Sequence, residues 1–91
     1  MRSILPIIEG LEGAATPAER ADWLLRCPIS ILFREHMTIR PLLQRTGLQA
    51  GIEYLEAMQA YASATRTPDG ASFPTVLDAV RGAAEKLRAA V

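Results

Sequence analysis

Cysteine, histidine, tryptophan and lysine occur once each in this 91-residue chain, and valine three times. A single cysteine, Cys27, closes no intramolecular disulfide, and one thiol with one imidazole, His36, is too few for a structural zinc site. No second histidine stands at ligand spacing from His36, and no glycine loop, nucleophile elbow or acid pair of fixed placement announces catalysis. No apolar run approaches the ~18 residues that cross a bilayer. The opening MRSILPIIEGLEG has one arginine and an apolar run broken by Pro6 and Glu9, so it falls short of a signal peptide. The expectation is a cytoplasmic, non-enzymatic protein with no cofactor, no metal and no membrane association.

Neither sign of charge is in excess, since ten basic residues balance ten acidic ones. No global field therefore draws the chain to nucleic acid or anionic lipid. The distribution is uneven, however. Residues 1–25 carry Glu9, Glu12, Glu19 and Asp22 against Arg2 and Arg20, whereas residues 26–45 carry Arg26, Arg34, Arg40 and Arg45 against Glu35 alone. The centre is locally basic, and Arg34, Arg40 and Arg45 are its candidate anion contacts. Nine of the ten bases are arginine, a preference that suits bidentate anion recognition and equally follows from a GC-rich coding sequence.

What is abundant is alanine (15) and leucine (11), with aromatics at only 5%. Helix formers thus dominate the β-branched and aromatic residues that fill strands. The fold class expected is all-α, a single domain over residues 1–91, built as a compact bundle of four to five short helices drawn from segments near 4–13, 17–26, 28–37, 39–46, 48–65 and 75–90.

Apolar spacing supports each segment. Ile4, Ile7, Ile8 and Leu11 recur at i, i+3, i+4 and i+7, with Ser3 as cap and Pro6 in the first turn. TPAE at 16–19 combines a capping threonine, a proline at the first helical position and a glutamate three residues after the cap, the pattern of a capping box. Leu24 and Leu25 follow, with Trp23 at the margin of their stripe as a core-edge anchor. Pro28 breaks and restarts the chain, and Ile29, Leu32, Phe33, His36 and Met37 then form one apolar stripe that includes the histidine. Thr38 with Pro41 suggests a new or kinked helix, ended by Gly47 as a left-handed cap. The longest segment, LQAGIEYLEAMQAYASATR, puts Leu48, Gly51, Ile52, Leu55 and Met58 on one face, flanked by Tyr54 and Tyr61. TPDGAS is the one convincing loop. Thr75 and Asp78 suggest a second capping box, and Gly82 either weakens the last helix or lets a neighbour approach closely.

Two residues invite chemistry and have plainer readings. His36 lies one position from Glu35, about 100° round a helix, so the two side chains diverge; a histidine bonded to backbone at the core edge is the simpler reading. Cys27 at a helix start beside Arg26 would be a reactive thiol, whereas buried at the end of an apolar helix it would be inert.

With no self-sufficient site, the function expected is protein–protein interaction, as a regulator, adaptor or assembly subunit, with self-association into a homodimer. The interface candidates are Ile4, Ile7, Ile8, Leu11, Trp23, Tyr54 and Tyr61. The alternative is a DNA-binding regulator using a helix-turn-helix-like unit around residues 39–63. The carboxylates Glu53 and Glu56 on its second helix argue against this, because they would meet phosphate repulsion.

Overall fold

The computed structural model describes residues 6–91, and the expected cap Ser3 and interface residue Ile4 lie outside them. The chain is all-α. Among the described residues six helices follow one another, one or two more than the four or five expected: α1 Pro6–Glu12, α2 Pro17–Arg26, α3 Ile29–Arg34, α4 His36–Thr46, α5 Gln49–Ser63 and α6 Pro74–Ala89. None among the described residues is long and apolar enough to cross a membrane.

All six contribute to one core. Its fully buried large side chains are Ile8, Leu24, Leu32, Ile39, Leu43, Leu55 and Leu87, and no polar or charged residue among the described ones is buried with them. Each such aliphatic contributes about 1.5–3 kcal/mol relative to exposure. α5 is the hub, packing most extensively on α6 and also on α2, α3 and α4. Gly51 on α5 is buried against α2, and a Cβ there would stand only 2.9 Å from Leu24 Cδ1. The missing side chain is what lets these two helices approach.

The helix ends follow local chemistry. Thr16 Oγ1 accepts from the Glu19 amide at 3.1 Å, and Glu19 Oε2 reaches back to the Ala15 amide at 3.1 Å. The expected box thus forms, with its return bond one residue earlier than the usual pattern. α4 ends at Gly47, whose φ of 74° is the left-handed conformation glycine tolerates. Its amide reaches Gln44 O while the Leu48 amide reaches Leu43 O, both at 3.2 Å, the paired bonds of a Schellman motif. The following Leu48 is buried, so the turn is tied to the core. In the TPDGAS loop, the Thr67 amide donates to the Ala71 carbonyl and the Ala71 amide to the Thr67 hydroxyl, Gly70 supplies the second positive φ, and the Thr67 hydroxyl bonds the Asp69 carboxylate.

Two expectations need correction. The capping box at Thr75 and Asp78 does not form, because α6 starts one residue earlier: Pro74 supplies a fixed φ and needs no donor, and Phe73 is the cap residue without a side-chain bond. The break between the third and fourth helices falls at Glu35, not at Thr38, so His36 opens α4 instead of lying within α3. Pro41 sits inside α4, on its exposed side.

Candidate functional site

The bend at Glu35 explains the lone histidine. Glu35 (φ −104°, ψ 17°) leaves the helical path, although its amide still bonds Ile31 O and its carbonyl still accepts from Thr38 and Ile39. His36, half-buried, turns its Nδ1 onto the Phe33 carbonyl at 2.8 Å. A carbonyl only accepts, so the proton sits on Nδ1, and the ring satisfies a backbone group at the bend.

Cys27 is buried at the end of α2. It closes α2 instead of opening α3, is 7% exposed, and its thiol lies 3.6 Å from the Pro28 carbonyl. Burial pushes its pKa up to about 11, the opposite of what the helix-start reading required.

The expected interface residues divide. Ile8, Leu11 and Tyr54 are buried in the chain's own core and are not available to a partner. Burial also raises the Tyr54 pKa, with Arg88 pulling it down and Cys27 adding to the rise. Ile7, Trp23 and Tyr61 are half-buried. Trp23 is an intrachain anchor: its Nε1–H donates to the Ile7 carbonyl at 2.6 Å and pins α1 to α2. Gly10 lies beside the indole, where a Cβ would stand in ordinary contact at 3.4 Å. Tyr61 lines a cleft of about 190 Å³ with Ile29, Phe73 and Val76.

The arginine cluster is largely matched within the chain. Arg40 Nη1 meets Glu56 Oε1 of α5 at 2.7 Å, and Arg34 Nε lies 3.5 Å from Glu35 Oε1. Among the described residues Arg45 makes no ion pair. Two of the three candidate anion contacts therefore already have carboxylates beside them.

The surface feature missed from the sequence is on the same helices. Met37 is 79% exposed and Phe33 45%, both having been assigned to an inward stripe. The signal was present. Ile39, Leu42 and Leu43 define the buried side of α4, and Met37 lies about 200° from Ile39, opposite that side. Met37 and the exposed Pro41, one turn on, form a short apolar ridge, with Phe33 before the bend. Beside it runs a groove of about 320 Å³ bounded by Glu12, Met37, Pro41, Leu42 and Arg45.

Elsewhere the described residues gather no three His, Cys, Asp or Glu side chains that could hold a metal, and no buried side-chain polar atom among them lacks a partner. No family model, curated protein or solved structure matches this chain.

Proposed function

We propose that the protein acts by binding protein, as a regulator, adaptor or subunit of an assembly, in the cytoplasm and without catalysing a reaction. The observation that carries this reading is the apolar ridge of α3 and α4. A methionine 79% exposed on a well-packed helix, with an exposed proline and a half-exposed phenylalanine near it, puts adaptable apolar surface in water. Methionine and aromatic residues are enriched in the centres of protein interfaces. The DNA-binding alternative draws support from the outline of α4 and α5 joined at Gly47. It is weakened because Arg40, on the first of these helices, is held by Glu56 on the second.

Affinity capture with the tagged full-length chain tests the reading. The expected result is a stoichiometric protein complex, with the same chain or another, that is lost in Met37→Asp while the variant keeps its helical circular dichroism. Salt-sensitive retention on duplex DNA that disappears on neutralising Arg40 and Arg45, with no protein complex, would overturn it in favour of the alternative.

A further inference from the structure

We propose that Asp69–Gly70, in the loop between α5 and α6, is a latent self-modification site, where the main chain rearranges to an isoaspartyl link once the loop opens, and that the Thr67 hydroxyl keeps it dormant in the folded chain. The reactive pair is set by sequence. Glycine carries no Cβ, so its amide nitrogen meets the least hindrance in closing onto the carboxyl of the residue before it. Of the aspartates only Asp69 precedes a glycine; Asp22 precedes Trp23 and Asp78 precedes Ala79, both inside helices. Asp69 and Gly70 are exposed, and nothing lies within 4 Å of where a Gly70 Cβ would stand, so water reaches the pair.

The rearrangement needs no reagent but water. The Gly70 nitrogen bonds Asp69 Cγ, and its proton leaves with the carboxyl hydroxyl as water, closing a five-membered imide. Water then opens the ring at the bond between that nitrogen and the Asp69 main-chain carbonyl carbon, which becomes a free carboxylate while the chain continues through Cγ. Mass and charge are unchanged, and one methylene enters the main chain.

The folded loop opposes the first step at both reacting groups. The Gly70 amide donates to the Thr67 carbonyl at 2.9 Å, which holds the nucleophile in a turn. The Asp69 carboxylate accepts from the Thr67 hydroxyl and, at 3.3 Å, from the Ala71 amide, which holds it away from the Gly70 nitrogen. Thr67 Oγ1 also accepts from the Ala71 amide at 3.2 Å, so one hydroxyl ties the carboxylate to the far side of the turn. Thr67 first, and then the Ala71 amide, hold the Asp69 pKa below its ordinary value, and an ionised carboxylate has no hydroxyl to lose. Attack therefore waits for the loop to open locally.

The full-length chain tests this when warmed at neutral pH for days, folded and unfolded in guanidinium, and then cut with trypsin. Arg66 and Arg81 bound the peptide 67–81, whose isoaspartyl form elutes apart at the same mass. Asp69 in the folded wild type is expected to isomerise about tenfold more slowly than in the unfolded chain, because the turn must open first. Folded Thr67→Ala should be about threefold faster than wild type, and Thr67→Ser, which keeps the hydroxyl, should stay slow. Each variant is compared with its own unfolded rate, and circular dichroism should show both folded, since the loop lies outside the core. A folded wild type as fast as the unfolded chain, an unfolded chain that does not isomerise at Asp69, or a Thr67→Ala variant no faster than Thr67→Ser overturns the proposal.

Discussion

Replacing glycine by alanine at two positions, both inside helices, should move stability in opposite directions. Alanine in a helix interior is favoured over glycine by about 0.5–1 kcal/mol, because less backbone freedom is lost on folding. At Gly82 on α6 nothing lies within 4 Å of the added Cβ, and φ is not positive. Gly82→Ala should therefore stabilise by the full propensity gain. At Gly51 the added Cβ would stand 2.9 Å from Leu24 Cδ1 and 3.1 Å from Leu48 Cγ and Cδ2. Leu24 is fully buried and Leu48 is 7% exposed, so neither side chain has open space to turn into. Separating α2 from α5 by a few tenths of an ångström disturbs the core hub, and overpacking of this kind costs about 1–3 kcal/mol.

The cost exceeds the gain at Gly51, so the net change there should be about 1 kcal/mol destabilising. The two variants should then differ by about 2 kcal/mol, on the order of 10 °C in melting temperature for a domain of this size. Urea and thermal unfolding by circular dichroism, at one low protein concentration so that association does not contribute, measures both. A Gly51→Ala variant as stable as Gly82→Ala would refute the claim that a close α2–α5 approach requires glycine.

Trp23→Phe removes the donor to the Ile7 carbonyl and should cost about 1–2 kcal/mol; hydrogen exchange should show α1 amides losing protection before those of α5. Thr16→Ala should lower stability by about 1 kcal/mol through loss of the α2 cap, and urea unfolding measures it. With its pKa near 11, the Cys27 thiol should react with a disulfide reagent at pH 7 about 100-fold more slowly than an unstructured cysteine, and at the ordinary rate once the chain is unfolded in urea. Because burial raises the folded-state pKa of Cys27 and Tyr54, the unfolded state loses these protons first as pH rises. Stability should be insensitive to both groups below about pH 8 and should fall from about pH 9 upward, readable as a declining urea midpoint; a midpoint flat to pH 11 would contradict their burial.

Where a single local interaction decides the outcome, the residues were readable in order. Thr16, Pro17 and Glu19 specify the start of α2 whatever surrounds them, and Gly47 specifies the end of α4, because capping bonds span only three to five residues. The α6 cap was misread because two local signals compete there, and the fixed φ of Pro74 outweighs the hydroxyl of Thr75. The candidate site was harder to read. Met37 fits a stripe continued from Ile29 and Leu32, and only the bend at Glu35, stabilised by His36, separates it from that stripe. Tyr54 looks like a margin residue on α5 taken alone, yet neighbouring helices cover it to 5% exposure.

The sequence by itself determined the all-α class, most helix limits to within two residues, and that the single cysteine, Cys27, closes no disulfide within the chain. These follow from composition, spacing and short-range bonding, which need no knowledge of what lies across the core. Tertiary structure alone decided which face of α4 points outward, which arginines meet carboxylates, that the Cys27 thiol is held protonated, and that Gly51 is crowded while Gly82 is open. Each of those is a relation between side chains brought together from distant parts of the chain, and helical period fixes the angle of a residue about its own axis without fixing the neighbour it meets.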